Sequence, residues 1–201
     1  MATATKTKPA DTTGIVPYRI TVRQFEKMID AGVFPDDKRI ELIAGSLVAN
    51  PTKSDPHDYA VIKLSQRLRD FLPEGWYVRE EKSVVLGPYD RLGPDVAVVR
   101  GNMKDFRRAP RPKDLALLVE VSDQTYDKDR GPKLGRYAIA RVPCYWIVNL
   151  SKKQVEVYRD PKGRGAGAHY ASIETFATSA DLPVVIDGHA LGKIAVRALL
   201  S

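Results

Sequence analysis

The sequence has little of what marks disulfide-bonded, secreted or membrane proteins. Its 201 residues include one cysteine, Cys144, which excludes an internal disulfide and a zinc site made of several cysteines. No apolar run approaches the ~20 residues that a membrane-spanning helix needs. The N-terminal sequence MATATKTKPADTTG lacks the apolar segment of a secretory signal peptide. These absences predict a cytoplasmic protein with no membrane partner.

The remaining composition is that of a globular domain. Hydrophobic residues make up 43% of the chain and charged residues 28%, and the length suits one domain with a substantial core. Residues 1–17 are rich in Thr, Lys, Ala and Pro and are predicted to form a disordered tail, which leaves residues 18–201 as a single domain. The net charge of +7 permits a polyanionic partner without requiring one.

The most informative stretch begins at residue 115. Two apolar runs, residues 115–121 and 144–150, flank a polar loop and about one helix of sequence, residues 131–141. Two buried runs joined by a helix are typical of a β-α-β unit whose parallel strands are covered on both faces.

One acid interrupts the first of these runs. Glu120 would be buried near the end of the strand, where a carboxylate needs a cation or hydrogen-bond donors. The helix is predicted to begin at Gly131 and Pro132, which places Lys133 in its first turn, where a positive charge opposes the helix dipole. Such a helix begins above the carboxyl end of the first strand. We therefore expect Glu120 and Lys133 to converge.

Other elements surround this unit. Apolar residues at helical spacing predict helices, and alternating or continuous apolar runs bounded by Gly or Pro predict strands. Residues 87–93 are predicted to be turns. Predicted helices cover residues 21–31, 57–72 and 190–200. Predicted strands lie within residues 39–49 (a hairpin turning at Ala44 and Gly45), 76–86, 94–99, 154–158, 169–176 and 182–186, with residues 163–167 as a hairpin tip.

The strand order brings two acids together. The strands at residues 76–86, 94–99 and 115–121 follow one another through turns or loops, so an antiparallel meander is the simplest topology. In such a meander the start of one strand lies beside the end of the next. Asp95, which opens the second strand, should therefore lie beside Glu120, with Lys133 over the same end of the sheet.

This combination has a definite chemistry. Two close carboxylates repel each other unless a cation lies between them, and oxygen ligands without a His or Cys cluster favour Mg²⁺ or Mn²⁺ over zinc. A divalent ion activates water and neutralises phosphate charge. The lysine can orient the attacking water or stabilise the pentacovalent phosphorus. Asp95, Glu120 and Lys133 thus predict phosphodiester hydrolysis.

The same residues resemble a known nuclease family. Motifs spread from residue 18 to residue 158 are similar, in the same order, to those of the Uma2 family, which belongs to the PD-(D/E)XK nuclease superfamily. The matching motifs are ELIAGSLV at residues 41–48, His57, PDVAVV at residues 94–99, LVEVS at residues 118–122, DRGPK at residues 129–133, Tyr137, Val142 and YWIV at residues 145–148.

The resemblance implies a restriction endonuclease-like fold. That fold is an α/β αβββαβ core with a mixed sheet, here with an added N-terminal helix and hairpin and C-terminal strands. The superfamily places its lysine two residues after the glutamate, a position that holds Ser122 in this chain. Uma2-like proteins place the lysine in the following helix, which corresponds to Lys133. The family pattern also adds His57 and Glu41 as supporting residues, His57 as a proton relay and Glu41 as a residue that orients Lys133 or the metal.

Each candidate also has a plainer interpretation. Asp95 could be an acid at a strand start that bonds its own turn, and Glu120 could pair with any arginine. Lys133 could pair with Asp129 on an exposed helix face, and Asp129 is interpreted as a first-turn acid rather than a ligand. A lone histidine such as His57 is more often a satisfied core group than a base. For Glu120, its predicted burial favours membership of an active site over the plainer interpretation.

Glu41, the basic loop and two aromatic residues of the second apolar run also have structural interpretations. Glu41 lies on a short strand, where a family motif alone is weak support. The basic loop at residues 101–114 is either an ordinary solvated loop or a phosphate-contacting arm. Tyr145 and Trp146 are interpreted as core residues.

The favoured function is metal-dependent hydrolysis of DNA. Asp95 and Glu120 would hold Mg²⁺ or Mn²⁺, Lys133 would position the water, and His57 and Glu41 would support them. The alternatives are a catalytically inactive nuclease-like scaffold that binds nucleic acid or a protein partner, and a hydrolase that acts on a small ligand or an acidic substrate in the same cleft. Cutting a duplex takes two cleavages, which favours a homodimer, although no feature of the sequence identifies its interface.

Overall fold

The structure, a computed structural model, describes residues 16–36 and 38–200. The predicted disordered tail, residues 1–17, lies outside the described residues except for Val16 and Pro17. The helices are α1 (Val22–Asp30), α2 (Asp55–Phe71), α3 (Tyr126–Lys128) and α4 (Leu134–Ile139). The strands are β1 (Ile40–Ile43), β2 (Ser46–Ala49), β3 (Trp76–Glu80), β4 (Val84–Gly87), β5 (Asp90–Leu92), β6 (Val96–Arg100), β7 (Leu115–Ser122), β8 (Cys144–Asn149), β9 (Gln154–Lys162), β10 (His169–Ala177), β11 (Asp181–Ile186) and β12 (His189–Ala195).

A six-stranded mixed sheet forms the centre of the fold. Its order is β10-β9-β8-β7-β6-β3, and the β7–β8 pair is parallel whereas the other neighbours are antiparallel. The predicted meander of three strands is confirmed by β3, β6 and β7. Every residue of β7 and β8 is buried, as expected for parallel neighbours that are covered on both faces.

Different layers cover the two faces of this sheet. One face packs against α2 through Ala60, Val61, Leu64 and Leu68 and against the β11–β12 hairpin. The other face carries tyrosines of the sheet and packs against α4 and a second sheet of order β2-β1-β5-β4. The αβββαβ order of α2, β3, β6, β7, the α3–α4 crossover and β8 is the predicted core.

The crossover between β7 and β8 corrects one prediction. The helix begins at Tyr126 rather than at Gly131, and residues Asp129–Lys133 form a π-helical segment between α3 and α4. Pro132 has no N–H to donate to the preceding turn, and a wider turn accommodates its ring. Lys133 consequently lies in the middle of the helical stretch, not in a first turn where its charge would oppose the dipole.

Three other predictions differ from the structure. The strand predicted at residues 76–86 is two strands, β3 and β4, because the chain turns at Glu81, whose φ of 51° is left-handed. Residues 87–93, predicted to be turns, contain the short strand β5. The helix predicted at residues 190–200 is wrong, since β12 pairs with β11 and a short 3₁₀ turn follows it.

The structure also shows why the C-terminal segment forms a strand. A side-chain carbon at Gly192 would lie 2.5 Å from the ring of Phe71 at the end of α2. Pairing with β11 and this close approach bring Ile194 into the core. Tertiary contacts therefore override the helical propensity of the alanine and leucine residues.

Candidate active site

The pocket that contains the predicted residues lies where β6 begins and β7 ends. Its volume is about 50 Å³, enough for an ion and very few waters but not for a nucleotide. Asp95, Glu120, Lys133 and His57 all line it. The antiparallel register of Val96 with Val119 continues to Asp95 beside Glu120, as the meander predicted.

One side of the pocket is built around Asp95. Its Oδ2 accepts a hydrogen bond from the backbone N–H of Val121 at 2.8 Å and lies 3.2 Å from His57 Nε2 in the first turn of α2. Its Oδ1 lies 2.6 Å from Lys53 Nζ, and the same ammonium forms an ion pair with Glu81. We call Lys53, His57, Glu81 and Asp95 the Asp95 group.

The other side is built around Glu120. Its Oε1 accepts hydrogen bonds from Lys133 Nζ at 2.9 Å and from the hydroxyl of Tyr137 at 2.6 Å. Lys133 Nζ also lies 3.0 Å from Glu41 Oε1 and 3.8 Å from Asp129 Oδ1. We call Glu41, Glu120, Asp129, Lys133 and Tyr137 the Glu120 group. Its four charged side chains are all at least 97% buried.

Two oxygens of the Glu120 group have no hydrogen-bond donor. Glu41 Oε1 is satisfied by Lys133 and by the backbone N–H of Gly93 at 2.7 Å, but Glu41 Oε2 is buried without a hydrogen bond, 3.8 Å from Lys128 Nζ. Asp129 Oδ2 accepts hydrogen bonds from Ser122, at 2.8 Å, and from Thr125, whereas Asp129 Oδ1 is buried without one. Asp129 is thus a buried acid of the site and not an exposed first-turn acid.

The electrostatic surroundings shift the two central carboxylates in opposite directions. Burial raises the pKa of Glu120 to about 8, because the carboxylates of Asp129, Asp95 and Glu41 add to the effect of burial while Lys133 opposes it. Burial would also raise the pKa of Asp95, but the hydrogen bond from His57 and the charge of Lys53 outweigh it and hold that pKa below its usual range.

The buried lysine keeps its charge. Burial alone would lower the pKa of Lys133, but the carboxylates of Glu120, Glu41 and Asp129 surround it and raise that pKa above its usual value. Three carboxylates therefore surround the ammonium of Lys133, and a second ammonium, Lys128 Nζ, lies 3.8 Å from Glu41 Oε2. The proton that Glu120 holds near neutral pH relieves part of this excess negative charge.

Four of the five residues predicted from the sequence line this pocket, and the fifth, Glu41, lies behind it in contact with Lys133. Glu120, Lys133 and Glu41 are in contact, and Asp95 is in contact with His57. Within residues 16–36 and 38–200, the cluster of ligand atoms with metal-binding spacing comprises His57, Glu81 and Asp95, whose atoms lie within 4.8 Å of one another. Glu120 lies outside that cluster.

Sequence reasoning missed Lys53 and Glu81. Lys53 lies in the loop between β2 and α2, and Glu81 lies at the left-handed turn after β3. Neither position carries a periodic pattern, and both reach the site only because distant segments meet there. The polar block at residues 79–83, which interrupts an apolar run, was a weak signal for Glu81.

The basic loop at residues 101–114 lies away from this pocket. It joins the end of β6 to the start of β7, whereas the pocket lies at the start of β6 and the end of β7. Within the loop, Arg108 pairs with Asp114 at 2.9 Å. This position favours the interpretation as an ordinary solvated loop. Tyr145 and Trp146 are fully buried in β8, as predicted for core residues.

The sequence matches the model of the Uma2 family, described as "Putative restriction endonuclease", over residues 22–191. The chain belongs to the Uma2 family. A search of curated proteins finds no match to this Uma2 chain.

A solved structure has the same fold as this Uma2 protein. It is described as that of "a putative nuclease belonging to DUF820 from Anabaena variabilis ATCC 29413". The two align with a TM-score of 0.64 over 90% of this chain and 97% of the other, at 16% sequence identity. Such a likeness establishes the nuclease-like fold, a mixed α/β architecture. No helix in the described ranges is long and apolar enough to cross a membrane.

Proposed function

We propose that this Uma2 protein is a metal-dependent endonuclease that hydrolyses phosphodiester bonds in DNA. The observation that carries the proposal is the contact of Lys133 Nζ with Glu120 at 2.9 Å in a pocket that Asp95 also lines. Two acids and an amine at one edge of the sheet can bind a divalent ion and orient a water, which suits metal-assisted hydrolysis of a phosphodiester.

The residues of the pocket fit a divalent cation. Glu41, Glu120 and Asp129 outnumber the ammonium groups of Lys133 and Lys128, and Asp95 adds a carboxylate whose lowered pKa keeps it ionised. Glu41 Oε2 and Asp129 Oδ1 are buried acceptors without a hydrogen bond, each 3.8 Å from an ammonium, and a cation would satisfy them. Carboxylate oxygens are the ligands that Mg²⁺ and Mn²⁺ prefer.

In this proposal Asp95 and Glu120 hold Mg²⁺ or Mn²⁺. When bound, such an ion lowers the pKa of a coordinated water and offsets charge on the phosphate. Lys133 orients the attacking water and stabilises the negative charge that develops on the phosphorus oxygens. Glu41 and Tyr137 keep the Lys133–Glu120 pair in place, since each bonds one of its members.

His57 acts beside Asp95. Its Nε2 lies 3.2 Å from Asp95 Oδ2, and its Nδ1 lies 3.2 Å from Asp58 Oδ1 at the protein surface. The imidazole therefore connects the carboxylate of Asp95 with an exposed carboxylate. We assign it the position of a proton relay between the pocket and solvent.

Plasmid cleavage tests the proposal. Purified protein should nick plasmid DNA with Mg²⁺ or Mn²⁺ and not with EDTA. Asp95→Ala and Glu120→Ala should each reduce the rate at least ~100-fold, because each removes a ligand, whereas Arg108→Ala in the distant basic loop should cut at the parent rate. Equal cleavage by the parent and both site variants would mean contaminating activity and would end the proposal.

A catalytically inactive scaffold is the second candidate, and one observation favours it. Lys53 occupies the Asp95 side of a pocket of only about 50 Å³. A scaffold of this kind would bind DNA with strong salt dependence and show no metal-dependent turnover. For the nuclease, we expect a cytoplasmic protein that acts on duplex DNA as a homodimer, a state that light scattering measures.

A further inference from the structure

Lys53 stands where a cation of the Asp95 group would be. Its Nζ lies 2.6 Å from Asp95 Oδ1 and forms an ion pair with Glu81. These two carboxylates and His57 are the residues whose ligand atoms lie within 4.8 Å of one another. The ammonium is therefore in contact with two of the three side chains that could ligate a metal ion.

The loop that carries Lys53 covers the pocket and is attached on both sides. Residues 50–54 connect β2 to α2 and line the pocket. At one end, Asn50 accepts a hydrogen bond from Lys128 next to the π-helical segment. At the other end, the hydroxyl of Ser54 donates to Asp123 Oδ2 at 2.8 Å. With Lys53 between these contacts, the loop holds the pocket at a volume that excludes a nucleotide.

An ammonium and a divalent ion cannot occupy the same place. Asp95 Oδ2 is already bonded to Val121 and His57, so Oδ1, the oxygen that Lys53 contacts, is the one left for a cation. Lys53 is also 19% exposed on its side chain, unlike Lys133 at 3%, so it can leave toward solvent at little cost.

We propose that Lys53 is an internal counter-ion that exchanges with the divalent cation at Asp95. Cation binding displaces the ammonium from Asp95 and Glu81, and residues 50–54 lose the contacts that Lys53 makes between the two attached ends of the loop. In the metal-free protein Lys53 keeps Asp95 neutralised and the pocket closed. The inference rests on the metal site of the proposed function but not on hydrolysis.

Direct measurement of Mn²⁺ binding by calorimetry tests the exchange. Lys53→Met should bind Mn²⁺ about tenfold more tightly than the parent, because the competing cation is absent. Lys82→Met is the matched control. Lys82 is exposed, follows Glu81 in the chain and does not line the pocket, so the variant removes the same charge outside the site. It should change the Mn²⁺ affinity less than about twofold. Lys53→Gln repeats the measurement should the methionine variant be poorly folded.

Hydrogen exchange gives a second readout without DNA. Mn²⁺ should increase amide exchange in a peptide that spans residues 50–54 of the parent, and Lys53→Met should show the increased exchange before metal is added.

Several results would overturn the exchange. Unchanged or weaker Mn²⁺ binding by Lys53→Met would do so. Equal increases in Mn²⁺ affinity in Lys53→Met and Lys82→Met would also do so, because they would reflect the loss of one positive charge at long range and not the removal of a competing cation. Unchanged Mn²⁺ affinity with lost cleavage would make Lys53 a substrate-binding residue instead. No Mn²⁺ binding by any variant would remove this inference together with the metal site. Tighter binding by Lys53→Met without DNA cleavage by the parent would remove the hydrolysis and leave the exchange standing.

Discussion

The two sides of the pocket hold similar carboxylates in opposite surroundings. In the Asp95 group, the ammonium of Lys53 and the imidazole of His57 face Asp95 and Glu81. In the Glu120 group, three buried carboxylates surround the ammonium of Lys133. Lys53 in the first group is partly exposed, with 19% of its side chain accessible, whereas every charged side chain of the second group is almost fully buried.

This difference separates the protonation states of two acids that lie side by side at the sheet edge. The pKa of Asp95 is lowered and that of Glu120 is raised to about 8. Sites with paired acids commonly divide their roles in this way. In the proposed metal site, Asp95 would be an ionised ligand at any physiological pH, while Glu120 would release a proton when a divalent cation binds.

The largest expected loss of stability comes from removing the lysine of the Glu120 group. Lys133→Met leaves three buried carboxylates without their cation and should lower the free energy of unfolding by about 3–5 kcal/mol. Lys53→Met on the other side should lower it by less, because Lys53 is partly exposed and the Val121 N–H and His57 remain in contact with Asp95. Urea denaturation of both variants measures the contrast, and equal losses would contradict it.

The pH dependence of stability should separate the two acids next. Between its ordinary pKa of 4.5 and a folded pKa of about 8, Glu120 holds a proton in the folded protein and not in the unfolded chain. The contribution of Glu120 to stability therefore falls as pH rises through this window, at on the order of 1 kcal/mol per pH unit. Glu120→Gln should remove that slope in urea titrations between pH 5 and 8 with EDTA present.

Asp95 provides the opposite case. Because its folded pKa is lowered, the stability it contributes is present above its ordinary pKa of 3.8 and is lost as pH falls below that value. Asp95→Asn should therefore change the stability curve at acid pH and keep most of the slope between pH 5 and 8, which ends at a lower pH because the charge of Asp95 no longer raises the pKa of Glu120. The same change of slope in Asp95→Asn and Glu120→Gln would show that the assignment of the two acids is wrong.

The smallest effect concerns the hydroxyl that holds Glu120. Tyr137→Phe removes a donor at 2.6 Å from Glu120 Oε1 and should cost about 1–2 kcal/mol. Tyr145→Phe is the matched control, since this neighbouring buried tyrosine donates only to the backbone carbonyl of Asp129 at 3.1 Å. Tyr137→Phe, unlike Tyr145→Phe, should also weaken Mn²⁺ binding in calorimetry, and equal effects on binding would speak against a role for Tyr137 at Glu120.

The sequence allowed the sheet part of the site to be predicted because its pattern is local. Apolar runs interrupted by single acids locate Asp95 at a strand start and Glu120 near a strand end, and the antiparallel connection then makes them neighbours. Lys133 followed from the family pattern and from the β-α-β connection. The helix around Lys133 was not predicted correctly. A proline usually marks the start of a helix, but Pro132 lies inside this one, where a π turn accommodates it.

What could not be predicted depends on distant segments. Lys53 and Glu81 meet Asp95 from two loops whose sequences carry no period, so only the folded chain brings them together. The prediction for the C-terminal segment was wrong for the same reason. Pairing with β11 stabilises a strand there by more than the helical propensity of its residues stabilises a helix.

The π-helical segment makes the length of the crossover as important as its composition. Asp129, Lys133 and Tyr137 are spaced four residues apart and all belong to the Glu120 group. In a regular α-helix such a row drifts by about 40° at each step, and a wider turn, closed here by the bond of Leu134 N–H to the Asp129 carbonyl, offsets the drift. Deleting one residue between Asp129 and Lys133 would swing Tyr137 away by about 100°. Among relatives of this protein, gaps at this point should therefore be rarer than substitutions.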